Sequence, residues 1–266
     1  MKVRQIGAVL ATTALALTAS ACGSSGGAGG GGDTMKVGIK FDQPGLGLKV
    51  GSDYKGLDVD VAKYVAKELG KTPEFIQAPS AQRETLLSTG QVTLIFATYS
   101  ITDKRKESVS FAGPYFIAGQ DLLVRADNSD ITGPDSLAGK KLCSVTGSTS
   151  AQKIKDKVPG VNLQEFGTYS ECVAALDAGT IDALTTDNTI LAGFAAQEQY
   201  KGKLKVVGNT FSEERYGVGL KKGDKALCEQ VNAALKKMVD SGEWQKAVDA
   251  NLGPAGFKPG AGNPPA

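Results

Sequence analysis

The 266-residue chain carries 30 basic and 28 acidic residues, four cysteines and no histidine. A balance this close to neutral leaves no electrostatic footprint for nucleic acid and no polybasic membrane patch. The missing histidine removes the commonest general base and the commonest metal ligand, the cysteines lack the close spacing of a zinc site, and no cofactor or metal is expected.

Lys2 and Arg4 precede an apolar, small-residue stretch over residues 6–21, which ends in Ala19-Ser20-Ala21-Cys22. Residues 1–21 therefore read as an export signal. The stretch is too short to span a bilayer, and no later run approaches about 20 apolar residues, so no transmembrane helix is expected. Cys22 stands at the cleavage point ahead of a Gly/Ser run that cannot bury a core. This resembles a bacterial lipobox, with Ala19 where Leu is usual, and it implies lipidation of Cys22 with residues 22–33 as the anchored linker; plain secretion is the alternative. Lys2 and Arg4 are the leader's only charges, so the mature chain keeps 28 basic residues against 28 acidic ones.

Residues 36–39 read as a short strand that breaks at Asp42-Gln43-Pro44-Gly45. Residues 57–70 follow as an amphipathic helix, with Val61, Val65 and Leu69 at every fourth position and Gly70 as its stop. A strand over 73–76, helix over 84–88 and a buried strand over 92–97 come next. Such alternation predicts an α/β fold with a mainly parallel sheet, whose ligands sit beyond the carboxyl ends of the strands. Lys40, residues 98–100, residues 147–149 and Thr186-Asp187 are the positions this singles out.

A second block repeats the plan, with strands over 142–145, 162–166 and 181–185 and helices over 151–157 and 170–178. Leu87-x-x-Gly90-x-Val92 matches Leu176-x-x-Gly179-x-Ile181, and the same offset carries Thr98 onto Asp187, so that two equivalent strand ends face each other across a cleft. The chain returns after Tyr216-Gly217-Val218-Gly219-Leu220 through a helix bearing Leu227, Val231, Leu235 and Val239. Two crossings make a hinge. One lobe is expected over 34–118 and 219–253, the other over 119–218, with 254–266 as a loose tail. In an exported protein, Cys143 on a strand and Cys172 on a covering helix of the second lobe are expected to form a disulfide, leaving Cys228 free; three unpaired thiols are the alternative.

Five blocks then stand together in order: Gly56-Leu57-Asp58-Val59-Asp60-Val61-Ala62, Ser100-Ile101-Thr102-Asp103-Lys104-Arg105, Phe111-Ala112-Gly113-Pro114-Tyr115-Phe116, Asp135-Ser136-Leu137-Ala138-Gly139-Lys140-Lys141, and Tyr216 to Leu220. By these, residues 35–253 resemble the type 3 extracellular solute-binding proteins of polar amino-acid ABC transporters. The segments Gly38-Ile39-Lys40-Phe41-Asp42-Gln43-Pro44-Gly45 and Ala81-Gln82-Arg83-Glu84-Thr85-Leu86-Leu87 are most similar to glutamate-binding lipoproteins of actinobacteria. Thr93 stands where that family usually has Asp. The resemblance implies a two-lobed, periplasmic-binding-protein-like fold of type II, a monomer outside the cytoplasm beside an ABC permease, and an amino acid as ligand.

A zwitterion needs a cation for its carboxylate and an anion for its ammonium once water is excluded. The resemblance implies Arg105 as carboxylate clamp, with Ser100, Ser148 and Thr149 as further donors, and Asp187 as ammonium partner, with Thr98 offering an acceptor. On pattern alone Arg105 lies in a solvated charged turn, while Asp187, Ser148 and Thr149 are helix caps. A side-chain carboxylate calls for another cation; Arg83 and Lys40 are the candidates, Arg83 preferred for its planar fork, against the ordinary reading of two surface charges. L-Glutamate is favoured over aspartate, glutamine or another polar amino acid. The rival from another class is an enzyme akin to cyclohexadienyl dehydratases, which would need a further acid or base in the cleft. A receptor's ligand-sensing module would need an attached transmembrane or kinase segment.

Overall fold

Two five-stranded sheets are built in sequence along the chain, and one pair of long strands joins them. The computed structural model describes residues 34–265. The export signal, Cys22, the linker to residue 33 and residue 266 lie outside the described residues. Strand β1 (Thr34–Ile39) leads into a small antiparallel sheet of β2 (Asp42–Gln43), β3 (Gly47–Val50) and β4 (Asp53–Lys55). Residues 42–45, read above as a plain break, thus begin an added hairpin. Helix α1 (Leu57–Glu68) follows, then β5 (Thr72–Gln77), α2 (Arg83–Ser88) and β6 (Leu94–Phe96), with β5 and β6 flanking β1 in parallel. Short α3 (Asp103–Lys106) precedes β7 (Val109–Ala118), which leaves this sheet for β8 (Gln120–Arg125) of the next.

The second sheet repeats the pattern with β9 (Lys141–Val145), α4 (Thr149–Lys157), β10 (Asn162–Phe166), α5 (Tyr169–Asp177), β11 (Ala183–Asp187), α6 (Asn188–Ala195) and β12 (Leu204–Val206). β13 (Glu214–Lys221) returns, and α7 (Lys225–Asp240) and α8 (Glu243–Leu252) close the first lobe. The strand orders are β5-β1-β6-β13-β7 and β10-β9-β11-β8-β12. Each sheet has a parallel half and an antiparallel half, because β7 runs into β8 across Gly119 alone and leaves no room for a crossover helix.

α1 shows why these residues fold as they do. Val61, Ala62, Val65 and Ala66 have no exposed surface, and burying a valine of this kind contributes about 1.5–3 kcal/mol. Gly56 begins the helix at φ 125°, where an added Cβ would stand 2.0 Å from the carbonyl oxygen of Leu46, so no other residue fits. The internal echo is equally physical. After α2, Gly90 N and Gln91 N donate to the carbonyls of Leu87 and Leu86; after α5, Gly179 N and Thr180 N donate to those of Leu176 and Ala175. Every donor and acceptor is shifted by the same offset, with Gly90 and Gly179 at φ 71° and 72°.

β7 and β13 pair antiparallel from Ala118 opposite Glu214 to Val109 opposite Lys221, with an irregularity between Tyr216 and Val218. Cys143 and Cys172 are joined by a disulfide, their Cα atoms 5.8 Å apart, and Cys228 is free and half-buried. The segment after residue 253 departs from the loose tail read from its composition. Phe257 packs on the core, and the Asn263 carboxamide accepts from Ile117 N at 2.9 Å and donates to Ile117 O at 2.8 Å. Among the described residues no helix is long and apolar enough to cross a membrane.

Candidate functional site

β6 ends at Phe96 and releases Ala97, Thr98, Tyr99 and Ser100 into the space between the sheets. Thr98 holds φ 45°, a left-handed conformation that costs a non-glycine residue on the order of 1–3 kcal/mol. Asp58 on α1 fixes it there: its Oδ2 accepts from Thr98 N at 3.0 Å and its Oδ1 from Tyr115 Oη at 2.7 Å. Burial pushes the Asp58 carboxyl up to about 6, against the pull of these two bonds. Sequence reading passed over Asp58. The signal was present, because Asp58 lies on the same helical stripe as Ala62, Val65 and Leu69, where a carboxylate has no solvent reason to be.

Arg105 sits on α3, whose N-cap Thr102 accepts from Arg105 N at 3.2 Å. Asp103, Lys104, Lys106 and Glu107 around it are exposed, yet Arg105 is buried, unlike a member of a solvated charged turn. Its Nη1 donates to Ser100 O at 2.8 Å, its Nη2 to Gly147 O at 3.1 Å in the other lobe, and its Nε lies 3.3 Å from Glu84 Oε1. Arg83 opens α2 and is also buried; Nη1 donates to Ala97 O at 3.0 Å, Nη2 to Gly147 O at 3.5 Å and Nε to Ser80 O at 3.3 Å. Both guanidinium carbons lie over the Tyr99 ring, 4.3 Å from its centroid for Arg83 and 4.8 Å for Arg105. Burial and the nearby Arg105 lower Arg83 to about 10.

Lys40, just past β1, donates from Nζ to Ser80 Oγ at 2.7 Å. Burial, with Arg83 adding like charge, holds its ammonium well below the ordinary lysine range. The structure therefore gathers Lys40, Arg83 and Arg105 into one buried cluster. Glu84 pairs with Arg105 alone, and among the described residues neither Lys40 nor Arg83 forms an ion pair. Buried cations without a direct ion pair are costly, so the cluster is arranged for an anion.

The second lobe supplies the opposite wall. Ser148 caps α4, accepting from Ala151 N at 2.9 Å, and Thr149 Oγ1 meets Ser100 Oγ at 3.3 Å across the cleft. Asp187 ends β11 ahead of α6 but makes no side-chain cap bond to that helix. Instead Tyr216 Oη donates to its Oδ2 at 2.7 Å and Ser150 Oγ to its Oδ1 at 3.4 Å. Burial first, and the buried Glu214 carboxylate second, push Asp187 up to about 7. Glu214 is itself held at Oε1 by Lys153 Nζ at 2.5 Å and Ser212 Oγ at 2.8 Å.

Cations thus cluster under the first lobe, and an under-compensated carboxylate stands at the equivalent strand end of the second. Gln43 joins them without having been singled out from sequence: its Oε1 accepts from Thr98 Oγ1 at 3.3 Å, and its buried Nε2 has no partner among the described residues. Nothing in its sequence context marks it, since a polar residue before Pro-Gly reads as a turn. Among the described residues no group of three or more His, Cys, Asp or Glu side chains could hold a metal ion.

Comparison with known proteins gives this geometry a context. The model of the bacterial extracellular solute-binding proteins, family 3, matches residues 35–254. The glutamate-binding protein GluB of Corynebacterium glutamicum is 48% identical over 269 residues, covering 94% of this chain and 90% of that protein. The ABC transporter glutamine-binding protein GlnH of Bacillus subtilis is 40% identical over 220 residues, covering 80% of this chain and 79% of that protein. Among solved structures, an ancestral arginine-binding protein bound to glutamine superposes with a TM-score of 0.78 at 35% identity, over 83% of this chain and 98% of that one.

Proposed function

This chain belongs to family 3 of the bacterial extracellular solute-binding proteins, and on that premise we propose that it binds L-glutamate between its two lobes and delivers it to the permease of an ABC importer. The family is one of binding proteins located outside the cytoplasm, and the chain is not an enzyme. The observation that carries the ligand is the pair of buried cations, Arg83 and Lys40, which stand beside Arg105 and form no ion pair among the described residues.

Arg105 takes the α-carboxylate, with Ser100, Thr149 and the Ser148-capped start of α4 adding donors. Asp187 takes the α-ammonium, and Thr98, held in its turn by Asp58, adds an acceptor. Arg83, with Lys40, takes the γ-carboxylate. Residues 34–118 and 219–253 form one lobe and 119–218 the other, hinged at β7 and β13. The ligand gains its full set of contacts only when the lobes are closed, so its binding energy drives closure. The protein acts as a monomer held by lipid on Cys22.

Titration calorimetry with the twenty amino acids tests this. Glutamate is expected to bind at about micromolar Kd, roughly −8 kcal/mol, and glutamine at least ~100-fold more weakly, since its amide presents donors to donors. Tight glutamine binding would overturn the assignment. Glutamine is the second reading, favoured by one observation: the lowered Lys40 ammonium, once neutral, would accept an uncharged amide.

A further inference from the structure

The lobes also meet along a seam outside the cluster of charges. Asp42, on β2 of the first lobe, reaches the first turn of α5 in the second. Its Oδ2 accepts from Tyr169 N at 3.1 Å, Ser170 N at 3.3 Å and Ser170 Oγ at 3.3 Å. The first N–H groups of a helix have no partner within it, and the helix dipole favours a negative charge there. The helix's own cap, Thr168, bonds instead to Glu171 N at 3.3 Å, so Asp42 serves donors that Thr168 leaves open.

Two residues on, the chain touches α6. A Cβ added to Gly193 would stand 2.2 Å from Pro44 O, so glycine alone lets this backbone approach. The segment 42–44 therefore engages two helices of the opposite lobe. Asp42 and α5 sit on opposite sides of the hinge, so a rotation that parts the lobes at this seam breaks these bonds.

We propose that Asp42 is an inter-lobe latch, a carboxylate that caps α5 only in the closed state and so raises affinity for any ligand without choosing among ligands. The proposal rests on the ligand-driven closure described above. Apparent affinity is the closed-state affinity scaled by the closed fraction. A contact present only on closure therefore multiplies the affinity for every ligand by the same factor. The latch residue is half-buried and its partners partly solvated, which sets the factor at roughly three- to thirtyfold.

The test compares the wild type with Asp42→Asn, which keeps the shape and removes the charge, and with Asp42→Ala. Kd and dissociation rate are measured for L-glutamate, L-aspartate and L-glutamine. Each amino acid that binds the wild type is expected to bind more weakly, carried by faster dissociation, and the ratios between ligands are read from Gly193→Ala, which leaves the Asp42 charge near Lys40 in place. Gly193→Ala, which wedges the same seam open by volume, is expected to give a parallel loss. Wild-type affinity in both Asp42 variants would overturn the latch, and so would a loss confined to one ligand. A wild type that prefers glutamine would instead overturn the glutamate assignment, and the latch would still be judged by the parallel loss.

Discussion

Arg83 and Asp187 carry opposite charges at opposite walls, yet each is under-compensated, and both consequences can be measured. Replacing Arg83 with Met removes a buried cation that donates to three backbone carbonyls and, among the described residues, forms no ion pair. Glutamate should then lose at least ~100-fold in affinity while weak glutamine binding is nearly unchanged. Equal losses for the two ligands would make Arg83 structural. Asp187 gives a pH dependence. Its carboxyl, raised to about 7 by burial and by Glu214, must ionise to hold an ammonium, so affinity should fall as pH drops below about 7, approaching tenfold per unit. The ligand's own carboxylates stay charged over this range. Stability of the ligand-free protein should move the other way. A carboxyl raised in the folded state contributes stability that is full below its unfolded value, near 4, and is lost as pH rises through 7; Asp58, raised to about 6, acts in the same direction. Calorimetric titrations and thermal melts from pH 5 to 8 would show whether affinity and stability part in this manner.

At the scale of elements, hydrophobic period placed α1 to within a few residues, because Val61 and Val65 on one helix face report burial directly. It did not resolve α8, although Trp244, Ala247, Val248 and Leu252 repeat at helical spacing and are all buried, since the preceding helical pattern and the Gly/Pro-rich end left no clear boundary. The hairpin of β2, β3 and β4 escaped for a different reason: its strands are two to four residues long, too short for any period to register. Of the candidate site, the strand-end positions 98–100 and Asp187 were singled out by topology, whereas Asp58 and Gln43 act through contacts that only tertiary packing creates. The disulfide ties β9 to α5, the helix that Asp42 caps. With a sequence separation of 29 between the cysteines, breaking it should cost about 3–4 kcal/mol on the loop-entropy model. Cys143→Ser with Cys172→Ser, melted beside the wild type, gives that value. Thiol counting after denaturation without reductant, on protein lacking residues 1–22, should find one thiol; three would remove the bond.

For the whole molecule, the repeated plan was legible because the same turn recurs at Gly90 and Gly179 with the same hydrogen bonds; the closure contacts were not, because Asp42 and Tyr169 lie far apart in sequence and meet only through the hinge. Membrane attachment is proposed to depend on Cys22 alone. Cys22→Ala should release the protein from salt-washed membranes into the soluble fraction, and full retention would end the lipid-anchor reading. The end of the chain has a consequence of another kind. β7 is the outermost of its sheet and runs for ten residues, and a free strand edge is a template for pairing with another chain. The Asn263 carboxamide offers Ile117 an acceptor and a donor together, much as the peptide group of a neighbouring strand would. A single side chain thus stands in for a missing strand at the margin of the hinge, and a chain cut short before Asn263 should show increased self-association at high concentration.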